Sequence, residues 1–332
     1  MTSALENRKD VRRACVAEAP WRRRAVIDVG TNSIKLLVAD VLGRDVQPVH
    51  EESRQTRLGR GFYETHRLQP DAIARTAEAV AEFAKTARAN KAVSIRVIAT
   101  SAVRDAVNPG DLTSAIERAS GVKVEIISGE REAELVFQGV TTDPALAKTP
   151  LLLLDVGGGS TEFILGRGEH KHFMHSFPLG TVRLMEKFPH SDPPTHGEFI
   201  ACRDWIKSFL KNEVRPKLES ALRREAGSQS AGIQLVGTGG TTGILAHIES
   251  KLDRYDRARI EATQLGLEQV KAHRKNLWSL PLAERKEIVG LPKLHADVIL
   301  TGVLIYEAVM EEFGFKQLRV STRGLRFAAV MD

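Results

Sequence analysis

Residues 151–166 read LLLLDVGGGSTEFILG. Four leucines in succession belong in a core, yet the run ends in Asp155, the three glycines Gly157, Gly158 and Gly159, and the hydroxyl pair Ser160 and Thr161 before turning apolar again. A short apolar run bounded by turn residues reads as a buried strand, so the segment predicts strand, tight turn and second strand. The turn has a chemical meaning as well. Glycines let backbone N–H groups approach an anion closely, and small hydroxyl residues add donors without bulk. An aspartate at such a turn can hold a hydrated Mg2+ against phosphate oxygens.

The same grammar occurs earlier, in AVIDVGTNSIKLLVAD at 25–40. Laid over the first stretch, Asp28 falls on Asp155, Gly30 on Gly157 and Ser33 on Ser160, each offset by 127 positions. A lone glycine-rich turn only closes a hairpin. Two Asp-marked turns in register are a repeat at domain scale, and they predict two similar domains facing one another. Their loops would clamp an extended phosphate chain from both sides.

The rest of the chain supports an α/β reading. PDAIARTAEAVAEFAKTARAN (70–90) carries Ile73, Ala77, Val80, Ala84 and Ala87 at helical spacing. SIRVIATSAV reads as a buried strand, DLTSAIERAS as a short helix, VKVEIIS as a strand, and GEREAELVFQGV as a helix with an acidic first turn. TTDPALAKTP reads as a turn-rich linker. A long helix is expected over GEFIACRDWIKSFLKNEVRPKLESALRREA, kinked at Pro216. IQLVGTGGTTGILAHI predicts strand, glycine-rich turn and helix, LHADVILTGVLIYEAVMEEFG an apolar helix, and QLRVSTRGLRFAAV a last strand, turn and helix. Alternating strands and helices imply two α/β domains, placed at 23–140 and 141–332 behind a disordered basic tail at 1–22.

At 332 residues the chain exceeds one typical domain. Lys and Arg outnumber Asp and Glu by 48 to 42, and this modest basic excess suits an anionic partner. Cys15 and Cys202 lie far apart and form no metal spacing, so a reducing cytoplasm is expected. No signal peptide and no apolar run of membrane-spanning length is read, so neither membrane nor nucleic acid is an expected partner. Arg22, Arg23 and Arg24 read as a solvated lead-in to a strand. His170, His172 and His175 in EHKHFMH alternate as strand residues do, and read as a polar outer face rather than metal ligands.

The paired hairpin loops resemble those of the actin-like ATPase superfamily, whose domains have a ribonuclease H-like fold. VGTGGTT (236–242), with Gly239 and Gly240, resembles that superfamily's third glycine-rich segment, which meets the far end of the ligand. The ordered set AVIDVGTNSIKLLVAD, ATSAVRDAVN, EIISGEREAELVFQGV, LLLLDVGGGSTEFILG, FPLGTVRL and LVGTGGTTGILA resembles the Ppx/GppA family of exopolyphosphatases and guanosine pentaphosphate phosphatases. The resemblance runs from about Arg24 to the C-terminus.

It implies that Glu132, in the SG-x-x-EA motif, is the catalytic base, since a carboxylate at the cleft can take a proton from attacking water. It places Arg104, in a T-x-x-x-R motif, on phosphate oxygens. Asp155 and Glu162 become candidates for Mg2+, with Asp28 facing them. Phosphate donors are expected from Thr31, Asn32, Ser33, Gly157, Gly158, Gly159, Ser160 and Thr161. Glu130 and Glu134 are read as complementing the helix dipole. Two departures stand out: Phe327 and Ala328 occupy positions where the family's closing motif carries Glu and Gly, and no His-Asp dipeptide of the longer members' C-terminal region occurs.

The primary expectation is therefore Mg2+-dependent hydrolysis of the terminal phosphoanhydride of inorganic polyphosphate. The alternatives are a guanosine pentaphosphate 5′-phosphatase, an alarmone-binding sensor of guanosine penta- and tetraphosphate, and a sugar-kinase-like ATP phosphotransferase. The resemblance leaves a homodimer open.

Overall fold

The computed structural model describes residues 20–228 and 232–332; Cys15 and nearly all of the expected basic tail lie outside them. Strands β1 (Arg22–Val29), β2 (Ser33–Leu42) and β3 (Asp45–Gln55) form an antiparallel meander. Helix α1 (Pro70–Ala89) leads to β4 (Ser94–Ala99), parallel to β1. The short α2 (Ser101–Arg104) and α3 (Pro109–Ser120) lead to β5 (Val124–Ile126), parallel to β4. Helix α4 (Gly129–Val140) and the single turn α5 (Pro144–Ala147) then cross to a second sheet.

That sheet repeats the plan. β6 (Leu151–Val156), β7 (Thr161–Arg167) and β8 (His170–Phe177) are the antiparallel triple. After α6 (Thr181–Lys187), α7 (His196–Phe209) and α8 (Arg215–Ser228), β9 (Gln234–Thr238) pairs parallel to β6. Helices α9 (Gly239–Glu249) and α10 (Arg257–Ala262) precede β10 (Gln264–Gly266). Then α11 (Leu267–Ser279), α12 (Leu282–Arg285) and α13 (Ile299–Phe313) lead to β11 (Gln317–Val320) and α14 (Leu325–Ala329). The sheet orders are β3-β2-β1-β4-β5 and β10-β11-β9-β6-β7-β8.

The sequence repeat is thus a structural one. The first hairpin is closed by Gly30 N–H donating to Ser33 O (3.1 Å), the second by Gly157 N–H donating to Ser160 O (2.9 Å). Asp28 stands opposite Lys35, and Asp155 opposite Glu162 at the equivalent rung.

Each sheet has a core of its own, and a third apolar cluster lies between them. It combines Val26, Leu37 and Ile98 of the first sheet with Leu153, Ile164 and Val236 of the second, through Val136 and Phe137 of α4 and Phe327 and Ala328 of α14. Helix α14, late in the chain, therefore docks on α4. A Cβ on Gly139 would run into the Gly324 carbonyl, so only glycine permits this approach. Arg131 of α4 pairs with Asp332 at 2.8 Å.

Several local expectations needed correction. The strand expected over SIRVIATSAV ends at Ala99, and Ser101–Arg104 turns into α2 at the cleft. The expected linker contains α5, started by the Asp143 carboxylate accepting from the Ala145 amide at 2.9 Å. The kink of the long helix is a π-helical turn, Leu210–Val214, just before Pro216; proline lacks the N–H and its ring clashes with the carbonyl four residues back. Strand β9 runs directly into α9 at Gly239 with no separate loop. Arg22, Arg23 and Arg24 lie within β1, and Arg23 forks onto Asp40 with two 2.9 Å bonds rather than facing solvent freely.

The two halves meet over the cleft. Arg57 pairs with Asp297 at 2.7 Å, and the Glu186 carboxylate accepts from the Gly61 and Tyr63 amides at 2.5 and 3.1 Å. Arg183 lies 4.2 Å over the Tyr63 ring and reaches Asp105 at 3.3 Å. Among the described residues no helix is long and apolar enough to cross a membrane.

Candidate active site

Both hairpin loops open into one cavity of about 110 Å³. Their carbonyls are engaged from behind. Thr56 and Arg57 amides donate to Asn32 O, and Gly59 to Thr31 O. At the second loop, Thr181 donates to Gly157 O, while Val182 and Arg183 donate to Gly158 O. The amides of Thr31, Asn32, Gly158, Gly159 and Ser160 donate to no backbone carbonyl among the described residues. Buried amides are almost always satisfied, so two opposed loops of unspent N–H groups are chemically suited to receive an anion.

Four carboxylates share this wall: Asp28, Glu132, Asp155 and Glu162. Burial raises all four above the ordinary carboxylate range. For Asp155 burial pushes the acid up to about 6, with Lys35 opposing. Asp28 is likewise raised by burial against the pull of Lys35, and its Oδ1 has no hydrogen-bond partner. Glu162 is raised well above normal by burial and then by Glu132. It accepts from the Ser176 hydroxyl at 2.7 Å and is 1% exposed, so it is an enclosed acid and not a solvated strand residue.

Glu132 sits in the first turn of α4, whose start is fixed by the Ser128 side chain accepting from the Arg131 amide. Burial pushes it up to about 7 even though Arg104 pulls the other way with a 2.8 Å ion pair. An acid titrating there is suited to proton transfer at neutral pH. Arg104 does not line the loop cavity. It stands behind Glu132, also donating to Ile127 O at 3.2 Å, and borders a neighbouring cavity that shares Ser101 and Ser160 with the first. Its guanidinium is therefore spent first on orienting the glutamate.

Of the other expected contacts, Thr31, Asn32, Ser33, Gly157, Gly158, Gly159, Ser160 and Gly240 line the cavity. Thr161 does not: its fully buried hydroxyl donates to the Leu179 carbonyl, because its side chain points into the sheet packing. Gly239 borders the adjacent cavity. Its φ of +89° and the Asp155 carboxylate against its Cα leave no place for a side chain. Phe327 and Ala328, the departures from the family motif, are buried in the shared core, while their neighbour Leu325 reaches the cavity. The three histidines lie on β8, at one edge of the second sheet. His172 faces Glu225 at 3.3 Å and His175 packs on Phe177.

Two titratable lining residues escaped the sequence reading. Lys35 is the one Lys or Arg in the cavity wall among the described residues; its place, 127 positions before Glu162 in the repeat, was a usable signal. His295 reaches the cavity from the turn before α13, and nothing in LPKLHADV marks it.

The pattern of the Ppx/GppA phosphatase family matches residues 37–331. Exopolyphosphatase 2 of Mycobacterium tuberculosis is 36% identical over 317 residues, covering 90% of this chain and 94% of that protein. A Ppx/GppA enzyme structure from Aquifex aeolicus superposes with a TM-score of 0.74 at 30% identity, covering 94% of this chain and 99% of that one. An exopolyphosphatase structure from Cytophaga hutchinsonii gives 0.80 at 27% identity, covering 92% and 96%. The fold and site are those of a hydrolase built on two actin-like domains. The chain belongs to the Ppx/GppA phosphatase family.

Proposed function

We propose that the protein is an exopolyphosphatase, releasing orthophosphate from the end of inorganic polyphosphate. The observation that carries this reading is the meeting of two loops with unspent amides on one cavity that also holds Glu132. Support comes from the relatives that bear the exopolyphosphatase name and from a net charge of +6, which favours a polyanion.

The terminal phosphate lies between the loops, its oxygens accepting from the amides of Thr31, Asn32, Gly158, Gly159 and Ser160. The Ser160 hydroxyl adds a donor. Water attacks the terminal phosphorus while Glu132 takes its proton. The bridging P–O bond breaks, and its electron pair leaves on the shortened polymer. Arg104 holds the Glu132 carboxylate in line and offsets part of its burial cost.

Among the described residues no three His, Cys, Asp or Glu side chains gather closely enough to cage a cation unaided. Mg2+ is commonly held by one or two carboxylates completed by phosphate oxygens and water, and Asp155 and Asp28, with its unpartnered Oδ1, fit that role. The ion would supply neutralisation of the phosphate charge. Glu162, engaged by Ser176, fits it less well.

A guanosine pentaphosphate 5′-phosphatase is the second reading. It is favoured by an adjoining cavity of about 310 Å³ whose walls include Tyr255, His247, Ile244 and Ile260 beside Gly240, a surface suited to a base. Phosphate release with Mg2+ from long polyphosphate, tripolyphosphate, guanosine pentaphosphate and ATP, measured side by side, decides. Turnover confined to the nucleotides would replace the first reading with the second.

A further inference from the structure

His295 lies where the loop cavity and the adjoining cavity share a wall, beside Ser33 of the first phosphate loop. It lines both, together with Lys35, Asp28 and Asp155, whereas Glu132 lines only the first and Arg104 only the cavity on the far side. These memberships order the cleft. Arg104 and Glu132 stand at one end, the loops in the middle, and Lys35 with His295 at the other.

The imidazole is pinned from one side only. Its Nε2 meets the Ser33 hydroxyl at 3.5 Å, while Nδ1 is buried and has no hydrogen-bond partner. The backbone carrying it is fixed: the His295 amide donates to Pro292 O at 2.8 Å. The turn is also clamped to the opposite half, where Arg57 donates to Leu294 O at 3.4 Å and pairs with Asp297 at 2.7 Å. Burial and the neighbouring Lys35 hold the ring below its ordinary pKa. The ring is then neutral at physiological pH and carries one N–H; the tautomer in which Ser33 donates to Nε2 places that proton on Nδ1. A buried N–H without an acceptor is costly, and a phosphate oxygen in the cavity is the acceptor within its setting.

We infer that His295 is a substrate-binding residue that donates from Nδ1 to the phosphate next to the terminal one. This rests on the phosphoanhydride reading above. It assigns to a residue of the second half, reaching over the first loop, the contact that the paired loops alone do not supply.

The test compares His295→Ala and His295→Asn with the unaltered protein, using long-chain polyphosphate and tripolyphosphate. A hydrogen bond to a charged partner is worth about a tenfold to hundredfold change in affinity. His295→Ala is expected to raise KM by roughly that factor while kcat stays within about threefold. The factor should be the same for both substrates, because the contact falls within the first two phosphates. His295→Asn, which keeps a short donor near the Nδ1 position, should recover most of the loss. A purely structural role would lower the melting temperature of both variants and give no such recovery. Unchanged KM in His295→Ala, a loss confined to kcat, or no recovery in His295→Asn overturns the inference. Failure of the unaltered protein to release phosphate from either polymer overturns the functional reading instead.

Discussion

Replacing Glu132 by Gln separates the two consequences of burying an acid at the cleft. Burial carries this carboxyl from an ordinary value of 4.5 up to about 7, overcoming the 2.8 Å pairing with Arg104. Each unit of displacement corresponds to about 1.4 kcal/mol between protonation states, so ionising Glu132 in the folded protein costs about 3 kcal/mol. The folded chain holds this proton to higher pH than the unfolded chain. The stability contributed is therefore fully present below pH 4.5 and lost as the pH rises through about 7. Glutamine cannot ionise. The loss of Arg104's partner is also felt, but the guanidinium stays charged throughout, so that term changes little with pH.

The stability of Glu132→Gln relative to the unaltered protein should therefore grow by up to about 3 kcal/mol between pH 5 and pH 8, read by urea unfolding in metal-free buffer. Over the same change kcat for phosphate release should fall by about 10²–10⁴, the usual worth of a general base. A stability difference that is flat with pH would refute the raised acidity. Turnover within a few-fold of normal would remove Glu132 as the base.

Other perturbations probe the neighbours. Arg104→Gln removes the cation that holds the glutamate acid down, so the acid limb of the kcat/KM profile should move to higher pH; an unmoved limb would mean that the pair does not govern the base. Asp155→Ala should weaken the Mg2+ dependence of turnover with an unchanged circular dichroism spectrum, and a metal titration superimposable on that of the parent would exclude Asp155 as a ligand. Binding of long polyphosphate should fall more steeply with salt than binding of tripolyphosphate, through counterion release along a basic track; equal slopes would confine the grip to the terminal phosphates. Gly239→Ala forces a side chain onto the Asp155 carboxylate at φ +89° and should cost about 1–3 kcal/mol, measured by thermal unfolding.

The loops were legible because their chemistry is local: Asp28 and Asp155, the glycines and the hydroxyls sit within hairpins whose register any strand-turn-strand reading supplies. Glu132 and Arg104 were found through motif resemblance, but their mutual ion pair was not, since it joins two helices through tertiary packing. Lys35 escaped for a related reason. On an isolated strand it looks like a solvated residue, and only the pairing Asp28–Lys35 turns it toward the carboxylates. Thr161 misled because a hydroxyl beside a glycine turn looks available, whereas β7 buries it against the Leu179 carbonyl. Strand β3 was missed because DVQPVHEESRQ is a charged edge strand with little apolar alternation.

The docking of α14 against α4 sets the order in which this site comes into being. Arg131, next to the glutamate, and its partner Asp332 are 201 residues apart in sequence. At about 5–20 residues per second, the ribosome delivers the second roughly 10–40 s after the first. Throughout that interval the first hairpin can form, yet the helix carrying Glu132 has only one side of its final bed. The Glu132 carboxylate is therefore held by packing on both sides of its helix only once α14 has been made.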